Sequence, residues 1–156
     1  HVCLLRPKSY GSVRLTSKDP QALPLVDPDF LASRDDMDRM VKGFKLMRHI
    51  LAQPALAQFE GRELAATAKA QTDEEIEKVI RNLADSIYHP VGTCRMGPGD
   101  MDVVDAELRV HGLQGLRVVD ASIMPRIVGA NTNAPVIMIA EKAADMIKAA
   151  QVKPQN

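Results

Sequence analysis

The sequence predicts an α+β chain in which helices and short strands are joined by long loops. Apolar residues recur at helical spacing in three stretches, at 34–51, from 73 to about 86 and from 135 to about 150. Two short runs, Ser12–Thr16 and Leu116–Asp120, have strand character. Prolines and glycines punctuate most of the rest.

Taken in order, Val2 to Leu5 is a short apolar run, and Pro7-Lys8-Ser9-Tyr10-Gly11 reads as a turn. Ser12-Val13-Arg14-Leu15-Thr16 alternates, as a half-buried strand does. Residues 17–33 carry Pro20, Pro24 and Pro28 and read as an extended loop. In the first helical stretch Met37, Met40, Val41, Phe44, Met47 and Leu51 form one stripe, which predicts core packing for the methionines rather than a soft-ligand site. Thr72-Asp73-Glu74-Glu75 is a capping box and opens the second helix, with Ile76, Val79, Ile80 and Leu83 facing inward. Its acidic first turn suits the helix dipole. Residues 88–97 form a Gly- and Pro-containing loop, and His111-Gly112 a hairpin turn. Leu116–Asp120 is expected as a short buried strand, followed by a connector through Pro125 and Gly129. The last helix is expected to start near Pro135 and to pack through Val136, Ile139, Ala140, Ala143, Ala144 and Ile147. From Gln151 the tail is polar and is expected to fray.

The composition narrows the function classes. With 156 residues the chain can bury one real core. Lys plus Arg and Asp plus Glu are 20 each, so the basic footprint of a nucleic-acid or anionic-membrane binder is missing. Aromatics are 3% with no Trp, which disfavours a base-stacking surface. Two cysteines, Cys3 and Cys94, do not make a disulfide framework. No apolar run approaches the roughly 18 residues of a membrane span. The chain opens on His1-Val2-Cys3 with no initiator Met and no signal-peptide zones, which predicts a piece of a longer or cleaved protein and favours the cytoplasm.

Of the four histidines, His1, His49 and His111 have ordinary structural explanations. His89 lies in a loop whose glycines let the backbone approach another group closely, and imidazole titrates near neutrality, so it is the candidate general base. Cys94 is five positions away, but no further Cys or His pair completes a metal set. Asn131-Thr132-Asn133-Ala134-Pro135 is the second constellation. Thr132 or Asn133 can serve as N-cap, and two amides exceed what one cap requires. A helix N-terminus also favours an anion or a carbonyl gaining negative charge. The fingerprints GxSxG, CxxC, GxGxxG and the P-loop are absent.

Two segments resemble the C-terminal signatures of the glucose–methanol–choline (GMC) family of FAD-dependent oxidoreductases. They are Tyr88-His89-Pro90-Val91-Gly92-Thr93-Cys94-Arg95-Met96-Gly97 and the run from Gly115 to Ile147 that carries Val119-Asp120-Ala121-Ser122 and Gly129-Ala130-Asn131-Thr132-Asn133-Ala134-Pro135. Leu5–Val13 is similar too, although Tyr10 stands where the family often has Arg. Residues 52–72 are the least distinctive. The resemblance implies part of an antiparallel-sheet substrate domain with flanking helices, plus the final strand and helix of a Rossmann-like FAD domain. By that analogy 1–111 is the substrate side, including the catalytic His loop, and 112–156 returns to the FAD-binding domain. The N-terminal FAD-binding part would be a separate partner of this chain. His89 matches the family's base and Asn131 its second active-site position, the two acting on a small alcohol while FAD N5 takes hydride. Asp120, Ala121, Thr132, Asn133, Ala134 and Val136 match positions along the FAD. Two other readings stay open: a cyanohydrin-type lyase on the same scaffold, and a non-catalytic interaction domain.

Overall fold

The computed structural model describes residues 1–59 and 61–152. Two compact units divide the chain, His1–Ile87 and Tyr88–Asn156. The expected polar tail lies largely outside the described residues, since Gln151 and Val152 still belong to the last helix.

In the first unit β1 (Ser12–Arg14) pairs antiparallel with β2 (Leu25–Asp27), Val13 opposite Val26. The strand expected over 12–16 is therefore shorter, and its partner comes from the stretch read as loop. Proline punctuation masks β2, whose identity as a strand rests on a partner eleven or more positions away. Gly11 allows the close approach of the two segments. A Cβ there would lie 2.0 Å from the Asp27 carbonyl oxygen.

Helix α1 (Arg34–Leu51) has the expected bounds. Met37, Val41 and Phe44 are buried against Ile76 and Ile80, with Met40 and Val79 packed alongside. The short α2 (Ala65–Ala68) leads to α3 (Asp73–Leu83), which opens on the full capping box between Thr72 and Glu75. Thr72 Oγ1 accepts the Glu75 N–H at 3.2 Å, and Glu75 accepts the Thr72 N–H at 3.0 Å. Leu51 and Leu83, expected inward, are 63% and 57% exposed; each ends its helix, past the reach of the opposing one. Arg48 ties the 63–70 segment to α1. Its guanidinium lies 4.6 Å from the Phe44 ring centre and donates to the carbonyls of Ala70 (2.6 Å) and Thr67 (2.7 Å).

A carboxylate sits in this core. Asp36 is fully buried and accepts the N–H of Lys8 and of Ser9 and the Ser9 hydroxyl, at 2.6–2.9 Å. Burial pushes its pKa up, but these donors, with Arg39 nearby, outweigh burial and hold it below the ordinary aspartate range. The Pro7–Gly11 turn is thus pinned to α1 by a buried charge at the edge of the helix's apolar stripe.

The second unit is built on Val104, Leu108, Ile123, Met124, Ile139 and Ala143. Leu116–Asp120 is not a strand. It contributes a single antiparallel bridge, Arg117 to Arg109, so that the turn at Gly112 and Gly115 closes a minimal hairpin. Its apolar residues have a core to enter but no neighbouring strand among the described residues. A 3-10 turn over Ala121–Ile123 follows. Helix α4 (Asn133–Val152) starts two residues before Pro135, buries Ile139 and Ala143, and leaves Ala140 exposed. No helix among the described residues is long and apolar enough to cross a membrane.

Candidate functional site

Beyond α3 the chain turns sharply into the His89 loop. Tyr88 has φ 63°, an uncommon conformation for an aromatic residue, and Gly92 has φ 89°. A side chain at Gly92 would be strained by that φ and would meet the Met124 carbonyl at 3.4 Å. The loop then lies along the turn that follows Asp120: the Cys94 N–H donates to the Ser122 carbonyl at 3.0 Å and the Met96 N–H to the Ile123 carbonyl at 2.8 Å. Val91 and Met96 pack on the same core as α4. At its far end Arg95 pairs with Asp102. The guanidinium first, then the Gly99 N–H, hold that carboxyl below its usual range. The His111 ring nitrogen bonds the Gly97 carbonyl at 2.9 Å.

His89 is half-buried, and its Nδ1 lies 2.8 Å from Oγ1 of Thr132, which is 7% exposed. Thr132 also starts α4, because its carbonyl accepts the Val136 N–H at 3.0 Å. Of the two candidate caps, Thr132 therefore holds the cap position, and Asn133 is the first helical residue. Asn131 is exposed in the loop one residue earlier. Asn133 and Ala134 are exposed on the first turn, and Val136 is half-buried against the core. That first turn carries no acidic residue of its own, so the positive end of a 20-residue helix is not met by a local carboxylate. The Asp120 carboxylate accepts the N–H of Ser122 at 2.7 Å and caps the 3-10 turn, while Ala121 is half-buried.

The structure therefore brings His89 to the residue next to Asn131. It also ties the Asp120–Ala121 turn to the His89 loop within one unit. Sequence reasoning placed Thr132 beside the cofactor and missed its bond to His89. The usable signal was Pro135, three positions on. A proline there removes one of the two N–H groups a cap hydroxyl ordinarily accepts, which inclines the hydroxyl to another partner. His49, by contrast, contacts Gln53 on its own helix. A cavity of about 450 Å³ lies along 105–117, lined by Arg109, His111 and Arg117 among others, and none of His89, Asn131 or Thr132 lines it. Arg109 there is already paired with Asp105 and Glu107. Among the described residues no three His, Cys, Asp or Glu side chains gather as a metal site.

Residues 7–140 match a GMC oxidoreductase family model, that of the C-terminal region. The chain is 47% identical over 155 residues to the oxygen-dependent choline dehydrogenase of Chromohalobacter salexigens, covering 99% of this chain and 28% of that protein. Among solved structures it is similar to an FAD-dependent oxidoreductase from Chaetomium thermophilum (TM-score 0.87, 35% identity, 94% of this chain, 26% of that one). It is also similar to a fungal aryl-alcohol oxidase (TM-score 0.80, 36% identity, 96% and 25%). The chain thus spans about a quarter of the length of these proteins.

Proposed function

This chain belongs to the GMC oxidoreductase family, and from that premise we propose that it is the substrate-facing part of an FAD-dependent enzyme oxidising a small alcohol of the choline type. Residues 1–111 belong in this reading to the substrate side, and 112–156 return to the flavin-binding domain. The observation that carries the reading is the pairing of His89 with Thr132, which brings an imidazole to the residue next to Asn131. The 47% identity to a choline dehydrogenase supports the substrate class.

The residues at the start of α4 fit one edge of a flavin. Exposed Asn133 and small Ala134 present a helix N-terminus free of local carboxylates, suited to an electron-rich carbonyl edge. Thr132, Asn133, Ala134 and Val136 would line that edge, and Asp120 and Ala121 would run along the ribityl and pyrophosphate. FAD, when bound, supplies the hydride acceptor at N5. His89 takes the hydroxyl proton of the alcohol, leaving the O–H electron pair on oxygen. Asn131 donates a hydrogen bond to that oxygen as negative charge builds, and the hydrogen on the alcohol carbon then leaves as hydride with the C–H electron pair while an oxygen pair forms the carbonyl.

In the FAD-loaded flavoprotein carrying this chain, His89→Ala is expected to slow flavin reduction by roughly two to four orders of magnitude with little change in flavin content. Rapid-mixing absorbance of the flavin measures both. An unchanged reduction rate removes His89 from the mechanism.

A further inference from the structure

His89 and Thr132 stand 43 positions apart in the chain, yet their side chains meet at 2.8 Å. The threonine is nearly sealed from water and the imidazole half so, so the contact is no incidental surface pairing. Neutral imidazole carries one N–H hydrogen, and the bond made by one ring nitrogen decides which nitrogen holds it. A hydroxyl can accept or donate, so its surroundings set the direction. Thr132 occupies the cap of α4, where the side-chain oxygen ordinarily accepts the N–H of the second or third helical residue. The third is Pro135, which has none, and among the described residues the bond that Oγ1 makes is to His89 and not to the Ala134 N–H. The lone pairs of Oγ1 are thereby left for His89, and a ring N–H at Nδ1 is the donor the site offers.

We propose that Thr132 is a positioning residue for His89: its hydroxyl oxygen accepts the Nδ1–H and keeps the neutral ring in the tautomer whose Nε2 bears the open lone pair. Free imidazole side chains in water favour the opposite tautomer, with hydrogen on Nε2, which has no lone pair there to take a proton. Oγ1 therefore selects the form competent as a base and fixes the plane of the ring. When the alcohol proton moves to Nε2, the new N–H bond makes the ring a cation. Its Nδ1–H then becomes a charge-assisted donor to the same oxygen, so one contact serves both states. Because Thr132 also caps α4, the ring is held at the helix end flanked by Asn131 and Asn133. The catalytic half of this proposal rests on the reading of His89 as base; the tautomer half does not.

The test uses the FAD-loaded flavoprotein carrying this chain, labelled with ¹⁵N at histidine, at a pH where the ring is neutral. The His89 signals are assigned by their loss in His89→Ala. Wild type is expected to show hydrogen on Nδ1 and a bare Nε2. Thr132→Ser is expected to keep that pattern, with flavin reduction within about threefold of wild type. Thr132→Val, nearly the same shape without the oxygen, is expected to lose the pattern and to reduce flavin about tenfold or more slower, the scale on which losing an orienting partner lowers the activity of a metal-ligating imidazole. On a His89→Ala background Thr132→Val is expected to slow the reaction no further. Hydrogen on Nε2 in wild type overturns the proposal. So does a Thr132→Val that keeps rate and tautomer, and so do equal losses in Ser and Val, which would mark the γ-methyl as packing. If His89→Ala itself reduces flavin at the wild-type rate, the base reading fails and the catalytic half falls with it. The ¹⁵N pattern of the Thr132 variants then still decides the tautomer half.

Discussion

Asn131 and Asn133 are two positions apart and sit in different local physics. Asn131 lies in the loop before α4, next to the residue that grips His89. Asn133 is the first helical residue, and Thr132 already supplies the cap. Asn131→Ala is therefore expected to slow flavin reduction about a hundredfold, the scale of a lost donor to a developing oxyanion. Asn133→Ala is expected to change stability by no more than about 0.5 kcal/mol, as at a surface position with no cap to lose, and to act mainly on flavin affinity. Reduction rates, melting temperatures and FAD titrations of the two variants check this. A slow Asn133→Ala beside a fast Asn131→Ala would reverse the roles.

At the scale of the element, the attachment of the Pro7–Gly11 turn to α1 depends on one buried charge. Asp36→Asn puts an amide where four contacts from three donors converge on a carboxylate: its Oδ1 can stand for the oxygen that all three donors reach, but its NH2 then faces the Lys8 N–H, and the charge that strengthens each of these bonds is gone. A loss of about 1–3 kcal/mol is expected. The pH dependence follows from the depressed pKa of Asp36. A carboxyl held lower in the folded chain than in the unfolded one contributes its full stability above the ordinary aspartate range. That contribution fades as pH falls through the folded value. The gap in unfolding free energy between wild type and Asp36→Asn should accordingly be constant near neutrality and narrow in acid. Denaturant titrations across pH measure it; a gap that stays as wide in acid would show that the carboxylate charge is not what holds the turn.

For the whole chain, the apolar surface left open sets the expectation. Leu15 and Leu23 are 88% and 84% exposed beside the β1–β2 hairpin, and Ile137 and Met138 are exposed on α4. A two-stranded sheet is marginal by itself, and apolar faces of this kind ordinarily meet a neighbour. The segment also lacks the glycine-rich fingerprint that binds a dinucleotide pyrophosphate, and in the proposed reading α4 would cover one edge of the flavin at most. Chain 1–156 alone is thus expected to bind FAD weakly and to take up a hydrophobic dye before it melts. Tight one-to-one FAD binding, or a cooperative melt with no dye signal, would contradict this.

What the sequence determined by itself is what short-range chemistry controls. The stripe from Met37 to Phe44 specifies α1, and Thr72 with Glu75 specifies the start of α3, because partners three or four residues apart meet in any helix. The glycines of the His89 loop mark it as a loop for the same local reason. The family signatures also made His89 and Asn131 legible as candidates, as residue types at fixed spacing. Tertiary structure alone decided the rest. β2 exists as a strand because β1 lies beside it, and Leu116–Asp120 falls short of one because a single bridge meets it. Asp36 is buried because the backbone of Lys8 and Ser9 folds over it, against every expectation for an aspartate. Thr132 grips His89 because the core under Ile123, Met124 and Ile139 draws two distant segments together. Hydrogen bonds and strand pairing between distant residues leave no periodicity in a sequence, so only the folded chain reveals which of its polar groups meet.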